Sequence, residues 1–71
     1  MNMSYDEEIL KAFRIAGRKG RTEISSEAIL LLTDVPEQRL HEHLKSLKKF
    51  GYIKTSKRIK EKRLWKLSDG T

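Results

Sequence analysis

The 71-residue chain has no cysteine. Disulfides, thiolate zinc sites and a cysteine nucleophile are therefore excluded, and the composition fits a reducing compartment. Long apolar runs are also missing. The longest, at residues 28–32, falls far short of the ~20 residues that a membrane span needs. The start of the chain is acidic (Asp6, Glu7, Glu8), which is not how a signal peptide begins. There is no Gly-rich phosphate loop, no nucleophile with a nearby base and no cluster of metal ligands. Nor is there room beside the core for a pocket of the usual size. Nothing points to an enzyme, a cofactor or a resident metal. No repeat or low-complexity linker divides the sequence, so residues 1–71 are expected to form one domain. At this length a single core is marginal and is helped by tight helix packing or a partner.

What the chain does have is positive charge, unevenly placed. Net charge is +6, with 37% charged and 37% hydrophobic residues. Residues 1–37 hold five Lys/Arg against seven acids, a net of −2, whereas residues 38–71 hold eleven against three, a net of +8. A basic half on a small domain suits either a polyanionic partner or simple solubility.

The apolar residues recur with helical spacing. Ser4-Tyr5-Asp6-Glu7 has the form of a capping box, in which Ser4 caps the Glu7 N–H and Glu7 reaches back. Tyr5, Ile9, Leu10, Ala12, Phe13 and Ala16 share one face at ~100° per residue, with Ile15 outside it. A first helix over about 4–16 follows, stopped by Gly17. Gly17-Arg18-Lys19-Gly20-Arg21 is a basic loop, and residues 22–24 suggest a very short strand with Ile24 turned inward. Ser25 and Ser26 are both good N-caps for a second helix over about 26–33. Its inner face is expected to be Ala28, Ile29, Leu31 and Leu32, with Leu30 on the other side. Asp34 ends it in a left-handed turn. Pro36 sits one residue into a third helix, about 36–50, which Gly51 stops. Leu40, Leu44 and Leu47 form its apolar seam. Gln38, Glu42, Lys45 and Lys49 lie opposite, with His41 and Lys48 on a flank. Residues 52–57 and 63–67 alternate as strands. The intervening 58–62 lacks turn residues and is expected to be a flexible loop. Residues 68–71 are expected to fray.

Helix, short strand, helix, turn, helix and ribbon make an α+β chain. Its second and third helices are joined by about three residues, as in a helix-turn-helix. From Ile24 to Leu67 the sequence resembles a winged helix-turn-helix domain. Leu40, His43, Leu44, Leu47, Gly51, Tyr52 and Ile53 match the recognition helix and first wing strand of ArsR- and MarR-type regulators. Trp65-Lys66-Leu67-Ser68-Asp69-Gly70 is similar to the close of their wing. MarR-type proteins carry further dimerisation helices, which this sequence lacks. A weaker likeness to winged helices that bind left-handed DNA fails at the helix positions, which here are Glu37, His41 and Lys45. It also fails in the proline-free wing.

The resemblance implies a small cytoplasmic or nucleoid-associated transcriptional regulator that inserts its third helix into the major groove of double-stranded DNA. Gln38 would address adenine, Arg39 guanine, His41 a purine acceptor and Glu42 cytosine, with Lys45 beside them. Lys45, Lys48 and Lys49 also suit phosphates. The wing cations Lys54, Lys57, Arg58, Lys60, Lys62, Arg63 and Lys66, opposed only by Glu61, would hold the backbone. Arg18, Lys19 and Arg21 offer a further contact. Glu37 and Glu42 repel phosphates, so they suit base-specific reading or a different partner. His41 and His43 point ~200° apart and cannot share a metal ion; His43 is expected to pack beside Leu44 and Leu47. Trp65, the only tryptophan, is expected in the core. Ile15 and Leu30 are either isolated exposed apolars or the patch of a homodimer. An RNA- or ribonucleoprotein-binding module and a protein–protein adaptor are the competing functions.

Overall fold

The computed structural model describes residues 4–60 and 62–68, and expectations for residues 61 and 69–71 lie outside the described residues. The chain is α+β. It runs α1 (Tyr5–Arg18), β1 (Ile24–Ser25), α2 (Ser26–Leu32), α3 (Glu37–Lys49), β2 (Ile53–Ile59) and β3 (Lys62–Leu67). The strands form one antiparallel sheet in the order β1-β3-β2, so β3 is central. No helix among the described residues is long and apolar enough to cross a membrane.

Ser4 caps α1 as its sequence requires, its Oγ accepting from the Glu7 N–H at 3.2 Å. The return contact differs from the expected box: the Ser4 hydroxyl donates to Glu7 Oε1 at 3.2 Å. Ile9, Ala12, Phe13 and Ala16 are buried, while Tyr5 and Leu10 pack at the core edge. The helix does not stop at Gly17. It continues to Arg18, and Gly20 supplies the left-handed residue at φ +81°. The Arg21 N–H then reaches the Ala16 carbonyl at 2.9 Å and the Gly20 N–H reaches that of Gly17 at 3.0 Å. This paired closure of the last turn is a Schellman motif. The same closure ends α3, where Gly51 at φ +84° lets the Tyr52 N–H reach the Leu47 carbonyl at 3.0 Å.

The short strand is Ile24–Ser25, shifted from the expected 22–24, and Ile24 is buried as expected. Ser25 caps α2 by accepting from the Ala28 N–H at 3.2 Å. The facing of α2 overturns the sequence expectation. Ile29 is fully buried and Leu30 packs on the core, whereas Leu31 is 88% exposed and Leu32 is 41% exposed. Leu31 lies ~200° round the helix from Ile29, so burying one exposes the other. Asp34 is not left-handed. Instead Thr33 closes the helix, donating to the Ile29 carbonyl at 2.8 Å and accepting from the Val35 N–H at 3.3 Å. The Asp34 N–H donates to Glu8 Oε1 at 3.0 Å and ties the turn to α1.

Pro36 precedes α3 as its N-cap rather than lying inside it. Leu40, Leu44 and Leu47 are buried as the seam predicts. They meet Val35, Ile53 and Trp65 in the same cluster as the α1 residues. Each such side chain contributes about 1.5–3 kcal/mol by leaving water. The expected flexible loop at 58–62 is largely strand. Pairing continues through Arg58↔Arg63 to Ile59↔Lys62, and Lys60 turns the tip at φ 47°. β2 also carries a bulge between Thr55 and Arg58.

The facing of α2 has a direct consequence for stability. Ile29→Ala is expected to cost about 2–4 kcal/mol, as for other buried aliphatic truncations. Leu31→Ala should stay within about 0.5 kcal/mol. Urea unfolding midpoints measure both, and the reverse order would mean that α2 buries its other face.

Candidate nucleic-acid interface

On α3, steps of ~100° per residue place Gln38, Glu42, Lys45 and Lys49 in one outward stripe. All four are exposed. Arg39 lies on the flank away from the hairpin, where its guanidinium is 4.0 Å from Glu42. Both side chains are about two-thirds exposed (63% and 69%), so this pair adds little to stability. His41 and Lys48 lie on the flank that faces the hairpin.

That flank and the hairpin enclose a concavity of about 510 Å³, lined by His41, Lys45, Lys48, Lys49, Arg63 and Trp65. Of these six described lining residues, four are Lys or Arg and none is acidic. The sequence-derived phosphate residues of α3 are thus brought together with one cation of the hairpin, Arg63. Trp65 is only 2% exposed, so it is a core residue that also floors the cleft. Its indole N–H donates to Ser26 Oγ at 3.3 Å. The Arg63 guanidinium carbon sits 5.9 Å from the Trp65 ring centre, within cation–π range.

The other hairpin cations are not one set. Lys54 and Lys66 pair across the strands next to Thr55↔Trp65, which puts them on the face away from the core. Arg58 pairs with Arg63 and shares its face. Lys57 lies exposed within the bulge and Lys60 lies at the tip. Lys62 turns to α2, its Nζ 3.6 Å from Glu27. The division depends on the bulge, which no single stretch of sequence announces. The only hint is that polar/apolar alternation fails after Thr55.

Ile15 and Leu30 line different concavities. Ile15 is half-buried in a concavity of about 290 Å³ along α1, shared with Lys11, Arg14 and Arg18. Leu30 lines a separate one of about 340 Å³ between α2 and α3, where Glu27 and Glu37 stand. His41 borders both this acidic hollow and the basic cleft.

His43 has partners on α1 that the sequence expectation did not name. Its Nδ1 lies 2.7 Å from Asp6 Oδ1, and its ring meets Tyr5 edge-on with centroids 5.4 Å apart. The short contact requires Nδ1–H to donate to the carboxylate. The two histidines therefore divide their roles, His43 holding α1 to α3 and His41 facing the cleft.

Comparison with known proteins found no matching family model, no matching curated protein and no matching solved structure.

The two histidines should separate experimentally. His43→Ala is expected to lower stability by about 1 kcal/mol, the worth of a half-exposed hydrogen bond to a carboxylate. His41→Ala should change it by less than about 0.5 kcal/mol. Urea unfolding of the two variants decides this, and equal losses would remove the tie between α1 and α3.

Proposed function

We propose that the chain is a winged helix-turn-helix module that binds double-stranded DNA and serves as a small transcriptional regulator. In this reading α2, its turn and α3 are the helix-turn-helix, and the β2–β3 hairpin is the wing. The observation that carries it is the cleft between α3 and the hairpin, walled by Lys45, Lys48, Lys49 and Arg63 with no acidic residue among its described lining. Cations on both walls of one concavity focus positive potential there. A solubility role would spread them instead.

The outward stripe of α3 supports base contact. Gln38 can pair with an adenine edge in two hydrogen bonds, and Glu42 can accept from a cytosine amine. Lys45 and Lys49 follow on the same stripe and would pass the groove wall. Arg39, turned to the other flank, would meet backbone rather than bases. Glu42 repels phosphates, which suits a side chain that reaches the groove floor and not one that lies along the rim. One such module covers a single half-site, and regulators of this kind read two half-sites about 34–36 Å apart as dimers. Regulation in the cytoplasm or nucleoid would then require a second copy.

Fluorescence anisotropy with a random duplex of about 25 bp, a little over two helical turns, tests this reading. Affinity should fall steeply with salt, with log K changing by about 0.9 per phosphate neutralised. Lys45→Gln/Lys48→Gln should weaken binding and lower that slope by about two contacts' worth. No binding by the folded protein at low salt would overturn the proposal, as would a clear preference for duplex RNA in competition.

A further inference from the structure

We infer that Arg58 and Arg63 form a phosphate clamp on the α3 side of the hairpin. The backbone of a bound strand would then run through the cleft and not over the outer face of the sheet. The identity of the polyanion rests on the DNA-binding reading above. The clamp itself, two guanidinium groups closing on one phosphodiester, does not need that reading and can be tested without DNA.

The bulge builds the pair. Thr55 faces Trp65, so in an unbroken ladder Lys57 would follow on that face and Arg58 would point the other way. Between the pairs Thr55↔Trp65 and Arg58↔Arg63, β2 has one residue more than β3. That extra residue turns Arg58 onto the cleft side, directly opposite Arg63. A bulge re-aims a side chain in just this way.

Two like charges directly opposite on one sheet face repel and destabilise the hairpin. Among the described residues, no carboxylate pairs with either arginine. The outer face differs. Glu23, next to Ile24 at the sheet edge, reaches across β3 to accept from the Ser56 hydroxyl. A carboxylate of the chain thus lies over the strand that carries Lys66. Among the described residues the inner pair has no such anion, and a bound phosphate would supply one.

One half of the clamp, Arg63, has a fixed neighbour. Trp65 is fixed by burial and by its bond to Ser26, and Arg63 lies against its ring. Contact with an aromatic face leaves the N–H edge of a guanidinium available for phosphate oxygens. Across the cleft, Lys45, Lys48 and Lys49 face the same space.

The test compares two charge-matched double variants, Arg58→Gln/Arg63→Gln on the cleft side and Lys54→Gln/Lys66→Gln on the outer face. With duplex DNA, the cleft pair should lose about tenfold in affinity and about two phosphates' worth of salt slope, with a much smaller change for the outer pair. Equal or larger losses in the outer pair would overturn the clamp. A second arm uses tripolyphosphate and thermal melting. Arg58→Glu places an acid opposite Arg63, so its melting temperature without ligand should rise. Tripolyphosphate should raise the melting temperature of the parent and the outer-face variant but not that of Arg58→Glu. If DNA fails to bind and this pattern holds, the DNA reading falls while the clamp stands. If tripolyphosphate stabilises Arg58→Glu as much as the parent, or stabilises neither, the clamp is wrong.

Discussion

The cleft depends on where Trp65 sits. It lies on the central strand, paired with Ile24 on one side and with Thr55 on the other. A buried indole N–H without a partner would be costly, and Ser26 at the start of α2 provides one. One side chain thus ties all three strands to the second helix. Arg63 lies two residues earlier on the same face, its guanidinium carbon 5.9 Å from the ring centre. The opposite wall is α3, anchored by Leu40, Leu44 and Leu47 in the same core. Both walls therefore stand on one packed interior. Their cationic groups are carried by regular elements, which hold geometry better than loops do.

The two long helices were legible because several local signals agreed. Ser4 and Glu7, an apolar stripe and a following glycine define α1, and the Leu40-Leu44-Leu47 seam with Gly51 defines α3. Gly17 misled because a glycine is tolerated inside a helix at about 1 kcal/mol relative to alanine. What ends α1 is a pair of hydrogen bonds closed by Gly20 and Arg21, and these depend on backbone conformation. The seven residues of α2 include Ala28-Ile29-Leu30-Leu31-Leu32, where nearly every position is apolar. Periodicity cannot choose a face from such a run. Packing against α1 and β3 chose Ile29 and left Leu31 in water.

The site was legible in its composition and not in its geometry. The density of cations after residue 37 is plain in the sequence, as is the outward stripe of α3. The sorting of hairpin cations into two faces is not, because it depends on register between strands. A single extra residue in β2 reverses the facing of everything beyond it. The hairpin tip was hidden for a related reason. It lacks the Asn-Gly type of signature, and Lys60 adopts the left-handed conformation that such residues usually take. His43 was partly legible: the angle that separates it from His41 was correct, but its partners Asp6 and Tyr5 come from 37 and 38 residues away in the chain.

Several of the described acidic residues are engaged by groups other than lysine and arginine. Asp6 holds His43, Glu7 holds the Ser4 hydroxyl, Glu8 holds the Asp34 N–H and Glu23 holds the Ser56 hydroxyl. Asp6 ties α1 to α3, Glu8 ties α1 to the turn before α3, and Glu23 ties the edge of the sheet at β1 to β2. Most of their partners are neutral donors, so the contacts stabilise the fold without neutralising a lysine or arginine. Glu27 pairs with Lys62 and Glu42 with Arg39, and neither of these two cations lines the cleft. A chain that used its acids to balance the hairpin would gain stability and lose its field. Here several of the described carboxylates are taken by internal structure, and the described residues lining the cleft between α3 and the hairpin include four cations and no acid.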